Sequence, residues 1–297
     1  MATITKLFPT GVLQSSVEFD EITHSTIKVS ETNVFAAQFD EVNLAAGTAE
    51  RRTSTGTYLV SGYFDEYTLA PAVPVTSGLV MLLDAGDVAS YPGSGTTWTD
   101  TVGSKAFTLF NGPTYNSANG GYIDFVAASS QYGYATSFAS ALTQYTVEVW
   151  HKFDGTLTGA APVLFGEGRA TYSNFMMGTT GGRVSPLKIQ GGFWNGAWQQ
   201  GTTDPGDYYQ PANGWYQFVN TYDGAQIKFY ANNTLQITKT PSNFTIGTSG
   251  LGLNIMRRQD AFNYWGGGVS IIRVYSRALT AGEIEQNFNT NRSRYGI

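Results

Sequence analysis

Cysteine is absent from the 297 residues, and histidine occurs only at His24 and His151. No disulfide framework, thiolate metal site or multi-histidine metal centre can therefore be built. Charge is scarce as well: Asp, Glu, Lys and Arg make up 13% of the chain, against about 25% in an ordinary globular protein. The net charge is -5 and the pI is near 5.0, whereas a nucleic-acid binder carries a basic patch, so no nucleic-acid partner is expected. No apolar run approaches the roughly 20 residues of a membrane helix, so no membrane insertion is expected. The opening MATITKLFPTG lacks the apolar core of a signal peptide, and the expectation is a soluble protein not exported by that route.

What the chain has in quantity is glycine, 35 residues, with 18 Tyr and 18 Phe. Little charge with many Gly, Thr, Ser, Asn and aromatic residues suits a turn-rich all-β protein. The most telling stretch is Trp215 to Asn233, which reads as two strands around Asp223-Gly224. An Asp-Gly pair between alternating apolar runs is a strong hairpin signal. Tyr216, Phe218, Asn220 and Tyr222 share one face, and Ile227, Phe229 and Ala231 share one on the next strand, giving one buried face and one wetter face. Tyr145 to Phe153 places Val147, Val149 and His151 opposite Thr146, Glu148, Trp150 and Lys152. Further short strands recur every 10–15 residues between glycine-rich turns, as in a sandwich or barrel.

Phe193 to Trp198 contains an Asn195-Gly196 turn. A two-residue loop there would set Trp194 against Ala197 and Phe193 against Trp198, with the two tryptophans on opposite faces. The single convincing helix starts at Thr280 and is expected over about 280 to 289. Glu283 completes a capping box, and Leu279 and Ile284 occupy the hydrophobic-staple positions.

Residues 1–70 differ in character. A motif recurs as Val17-Glu-Phe19-Asp-Glu-Ile-Thr23, Ala37-Gln-Phe39-Asp-Glu-Val-Asn43 and Gly62-Tyr-Phe64-Asp-Glu-Tyr-Thr68, at spacings of 20 and 25 residues. We read the region as a small repeated β-structure of hairpins. Two interpretations stand: chance strand ends with acidic turns, or an interaction arm with Phe19, Phe39 and Phe64 as its partner-binding residues. So few large aliphatics bury little core, and such a segment gains by pairing strands with a partner. Pro71 and Pro74 make residues 71–77 a semi-rigid linker, leaving 78–297 as the large domain.

Five segments of that domain together resemble the concanavalin A-like lectin/glucanase superfamily in its laminin-G-like form. They are Gly78-Leu-Val-x-x-Leu-Asp84-Ala, Tyr91-Pro-Gly-Ser-Gly-Thr-Thr-Trp98, Tyr145-Thr-Val-Glu-Val-Trp150, Trp215 with Thr221-Tyr-Asp-Gly224, and Arg273-Val-Tyr-Ser-Arg-Ala-Leu-Thr280. The resemblance implies an all-β, two-sheet antiparallel jelly-roll sandwich. Asn220 departs from it, standing where such domains place an aliphatic core residue. The ending Glu283 to Ile297 and the Tyr91 to Trp98 run are similar to lectin-like domains of tailed-bacteriophage structural proteins. That implies a protein of the virion surface, either a capsid decoration or tail component or, as the alternative, a carbohydrate-binding host-recognition module of a tail fibre, assembled in the host cytoplasm as a homo-oligomer or in several copies. Its partners would be other capsid or tail proteins, and a glycan.

Glucanases of the superfamily carry a strand with the pattern Glu-x-Asp-x-(x)-Glu, because one carboxylate attacks while another protonates the leaving group. The large domain has no such run, since Glu148 and Glu167 each stand alone. A non-enzymatic role is expected. Sugar binding needs flat rings for stacking, and Trp194, Trp198, Tyr208, Tyr209, Tyr264 and Trp265 lie in polar, loop-like stretches that supply them. No cofactor is required. Calcium is the ion the superfamily admits, with Asp84, Asp87, Asp100, Asp204 and Asp207 as available ligands, and no spacing selects among them.

Overall fold

A computed structural model describes residues 73–159, 161–168, 172–179, 187–200, 208–210, 214–259 and 262–297, together with seven short strands before residue 73. The chain divides into two compact units, Met1–Ala72 and Val73–Ile297.

The first unit holds β1 (Val17–Phe19), β2 (Ile22–Thr23), β3 (Lys28–Ser30), β4 (Ala37–Phe39), β5 (Val42–Asn43), β6 (Ala49–Thr53) and β7 (Gly56–Val60). The first two motif copies do not form hairpins. β1 pairs β4 in parallel, Val17 beside Ala37 and Phe19 beside Phe39, and β2 pairs β5 in parallel. A hairpin needs only a short turn and reverses direction, whereas a parallel return needs a dozen or more residues; the 20-residue spacing supplies that length. Among the described residues of this unit only β6 and β7 form a hairpin. Phe64 and the third copy lie outside the described residues.

The second unit contains β8 (Leu79–Asp84), β9 (Thr97–Thr99), β10 (Ala106–Phe110), β11 (Thr114–Asn116), β12 (Tyr122–Phe125), β13 (Tyr132–Ala135), β14 (Tyr145–Leu157), β15 (Val163–Glu167), β16 (Ser173–Thr179), β17 (Leu187–Trp194), β18 (Trp198–Gln200), β19 (Tyr208–Gln210), β20 (Trp215–Tyr222), β21 (Ile227–Ala231), β22 (Thr234–Lys239), β23 (Leu253–Ile255), β24 (Arg257–Arg258), β25 (Asn263–Tyr275) and α1 (Ala281–Tyr295). Among the described residues these strands make two nine-stranded sheets. The front sheet runs β18-β17-β16-β15-β23-β13-β10-β9, with β19 also on β17. The back sheet runs β11-β12-β25-β14-β20-β21-β22, with β8 and β24 also on β25. The fold is an antiparallel jelly-roll sandwich.

Alternation builds the core between the sheets. Val147 and Val149 of β14, Phe218 and Tyr222 of β20, and Ile272 and Val274 of β25 meet Phe107, Phe165, Phe175, Ile189 and Phe193 of the front sheet. Asn220 sits in that core without its polarity going to waste: it accepts a hydrogen bond from the Tyr145 hydroxyl at 2.8 Å and donates to the Lys228 carbonyl at 3.2 Å. Gly191 faces it, and a Cβ there would fall 2.6 Å from Asn220 Cβ. The wetter outer face expected of β20 is buried instead, as is the outer face of β14, because α1 lies across them. Ile284 and Leu279 pack with Val219, Tyr230 and Tyr275, and Phe288 and Tyr295 pack on Trp150. Val75, within the stretch read as a linker, is buried under the same helix; its N–H donates to Asn287 Oδ1 at 2.8 Å.

Asp223-Gly224 does turn the chain, through a four-residue loop rather than a two-residue one, since Tyr222 pairs Ile227. Asp223 Oδ1 accepts the N–H groups of Ala225 and Gln226, and Gly224 takes φ +94°.

Candidate functional site

The tryptophan hairpin differs from its expected register by one residue, and this changes its meaning. Asn195, Gly196 and Ala197 form a three-residue loop, the Asn195 N–H donating to the Ala197 carbonyl at 3.2 Å and Gly196 taking φ +88°. Trp194 therefore pairs with Trp198, and Phe193 with Gln199. Residues directly opposite in an antiparallel pair share a face. Phe193 points into the core, its ring centroid 5.0 Å from that of Tyr222, so the two half-buried tryptophans stand together on the outward face of the front sheet.

The tip that carries them is held firmly. Asn195 Nδ2 donates to the carbonyls of Asn243 and Thr245, at 3.2 and 3.0 Å. Buried Gln199 accepts from Ser242 N at 2.8 Å, Ser242 Oγ at 3.0 Å and Asn243 N at 3.3 Å, and donates to Asn195 Oδ1 at 3.1 Å. The Ser173 hydroxyl accepts the Trp194 N–H at 3.0 Å. These bonds clamp residues 242–245 against the hairpin and present Phe244, 51% exposed, beside it; Tyr172 adjoins Ser173 and is 37% exposed. Two indoles paired across the strands, on a tip held by amides and hydroxyls, form a small aromatic platform on a rigid support. The clamp from residues 242–245 escaped sequence reading because Asn195 and Gln199 lie more than 40 positions from the groups they bond.

The other expected aromatics divide. Trp265 is not a surface residue: it is fully buried, edge-on to His151 at 5.5 Å and to Phe153 at 6.1 Å. Gly266-Gly267-Gly268 reads as a loop, yet β25 runs unbroken through it. Gly267 at φ +118° lets β14 approach so closely that a Cβ would meet the Lys152 carbonyl at 2.0 Å. Trp265 therefore takes the inward position and Tyr264 the outward one. Tyr264 joins a separate group with Tyr132 at 6.1 Å, where Tyr132 stacks on Phe110 at 4.7 Å and the Arg257 guanidinium sits 3.9 Å from the Tyr132 ring centre. Four strand steps separate β13 from β17, roughly 19 Å at the usual 4.8 Å spacing, so this group is not part of the tryptophan platform. Tyr208 and Tyr209 pair through their backbones with Ile189 and Lys188; their side chains lie outside the described residues.

The two lone acids serve the fold. Buried Glu148 accepts from Trp150 Nε1, Gln217 Nε2, Arg273 Nη1 and Asn287 Nδ2 at 2.8–3.0 Å. Buried Glu167 accepts from the Asn174 amide at 2.8 Å and the Thr248 hydroxyl at 2.5 Å. The calcium candidates are similarly committed. Asp84 is paired bidentately with Arg294 at 2.9 and 3.0 Å, Asp100 Oδ1 accepts three amides, and Asp87 caps its own turn at Ala89. Asp204 and Asp207 lie outside the described residues. Among the described residues no three His, Cys, Asp or Glu side chains come together as a metal site.

A search of curated proteins finds no match. Solved structures similar in fold include domain 4 of an extracellular arabinanase from Geobacillus stearothermophilus, determined with arabinotriose. It has 16% identity and a TM-score of 0.54, covering 73% of this chain and all of that one. Botulinum neurotoxin type C, whose cell entry is described as dependent on interaction with two ganglioside molecules, aligns at 13% identity and TM-score 0.52 over 72% of this chain. The binding domain of Paraclostridial Mosquitocidal Protein 1 aligns at 13% and 0.54, also over 72%. This chain spans about half the length of the two toxin chains. At these identities the likeness is one of fold. A laminin-G family model matches residues 127–285. That match covers more than half of the chain, which thus belongs to the concanavalin A-like lectin/glucanases superfamily.

Proposed function

We propose that the jelly roll is a non-enzymatic carbohydrate-binding domain that takes a neutral glycan on the Trp194–Trp198 platform, and that the protein is displayed on a phage virion. The carrying observation is the cross-strand pairing of two half-buried indoles on one outward face. Flat rings match the apolar faces of pyranose or furanose sugars, and the polar groups holding the platform are amides and hydroxyls rather than charges. Binding should consequently vary little with salt. The arabinotriose bound to the arabinanase domain and the dependence of the neurotoxin on gangliosides support a sugar as the ligand class. Commitment of Glu148 and Glu167 to internal hydrogen bonds supports binding without hydrolysis. The virion setting rests on the resemblance of the Glu283 to Ile297 ending and the Tyr91 to Trp98 run. In it, the first unit attaches to capsid or tail.

The test is retention of the full chain on immobilised neutral polysaccharides, arabinan and host-surface glycans among them. The parent protein should be retained. Trp194→Ala and Trp198→Ala should each weaken binding about 2- to 10-fold, since an aromatic contact contributes about 0.5–1.5 kcal/mol beyond its area. Retention of both variants at parental strength would remove the platform from the reading. No binding by the parent to any glycan would leave a decoration protein without a sugar ligand. Labelled antibody on purified particles checks the virion setting.

A further inference from the structure

Arg273, Arg277 and Arg294 each meet a carboxylate, Glu148, Glu283 and Asp84 in turn. Arg257 does not. It is only 8% exposed, yet among the described residues no acid pairs with it. Its hydrogen bonds converge on one neutral atom: Nε and Nη2 donate to Asn254 Oδ1, at 2.9 and 2.7 Å. Asn254 is itself fixed, because its Nδ2 donates to the Gly252 carbonyl at 3.2 Å and to Gln259 Oε1 at 3.1 Å. A guanidinium carries further N–H donors at the other end of its fork. There Nη1 has no partner among the described residues, and it is not one of the unpartnered polar atoms shut off from solvent. Taking a charge out of water is costly unless an opposite charge meets it. The Tyr132 ring, 3.9 Å from the guanidinium, offsets part of that cost. A ring and an amide oxygen still leave the charge uncancelled.

The surroundings of that free end are flat. Phe110 and Tyr132 lie opposite one another on β10 and β13, stacked at 4.7 Å with 10° between their planes. Leu109 and Ala135 of the same strands enter the core, so alternation puts Phe110 and Tyr132 on the outward face of the front sheet. Phe110 is 37% exposed. Tyr264, directly across the strands from Arg257, adjoins Tyr132 at 6.1 Å.

We infer that this group is a second binding site, for an acidic sugar whose carboxylate meets the free end of Arg257 and whose ring lies against Phe110. The planar fork matches the two oxygens of a carboxylate, which it takes in parallel hydrogen bonds. The rings beside it offer a face to a cyclic ligand, which favours a sugar acid over an acidic peptide. The site is separate from the tryptophan platform, and the failure of either leaves the other standing.

Calorimetric titration of the full chain with a galacturonate tetramer tests it. Binding should saturate and weaken as salt rises, whereas any binding of a galactose tetramer should not depend on salt. Arg257→Gln should weaken binding of the acidic tetramer roughly 10- to 100-fold. Arg257→Lys, which keeps the charge and loses the fork, should not restore it. Phe110→Ala alters an exposed ring and should weaken binding about 2- to 10-fold; it decides the matter if the Arg257 variants melt far below the parent. No binding of the galacturonate tetramer by the parent, or parental affinity in Arg257→Gln, Arg257→Lys or Phe110→Ala, would overturn the site. A glutamate tetrapeptide bound as tightly as the galacturonate tetramer would overturn the sugar as its ligand.

Discussion

A carboxylate removed from water is tolerated only when its lone pairs are occupied, and Glu148 meets that condition with four donors. Its environment also pushes the neighbouring Tyr275 hydroxyl above the ordinary phenol range, chiefly through burial and then through the nearby carboxylate. Glu148→Ala would leave Arg273 buried and uncompensated, and should cost about 3–5 kcal/mol. Glu148→Gln, which keeps the shape and part of the bonding, should cost less. Urea unfolding of the two variants measures both, and equal midpoints for parent and Glu148→Ala would show that the network carries no stability. That Glu148 is the lone acid of its strand is legible in the sequence. Three of its four partners are not, since they lie 69, 125 and 139 positions away. The tryptophan pair shows the same limit at short range. An Asn-Gly signal locates a turn but not whether the loop holds two residues or three, and that single residue decides whether Trp194 and Trp198 share a face.

At the scale of elements, the start of α1 was readable because capping is local. Thr280 Oγ1 accepts the Glu283 N–H at 3.2 Å and Glu283 Oε2 accepts the Thr280 N–H at 2.8 Å. Its end was not. The apolar spacing fades after Phe288, and the remaining turns are held by Asn287, which donates to Glu148, and by Tyr295, which stacks on Trp150 at 4.3 Å. The Arg277 guanidinium grips Glu283 and is the largest cause holding its carboxyl down at about 2, below the ordinary value of 4.5, with bonds from Thr280 assisting. A carboxyl whose folded value is depressed stabilises the fold above its unfolded value and loses that contribution as pH falls toward the folded one. Stability of the parent should therefore decline between pH 4.5 and about 2 more steeply than that of Glu283→Gln, which has no such group to titrate. Melting temperatures of both proteins across that window decide it, and parallel curves would separate the Arg277–Glu283 pair from the acid response.

The whole molecule joins a sandwich that was legible to a unit that was not. Alternating strands and turn residues report the jelly roll directly, because each hairpin is local and one face of every strand must be buried. The first unit pairs residues 20 apart in parallel, and a repeated motif at that spacing is equally compatible with hairpins; only the register separates the two arrangements.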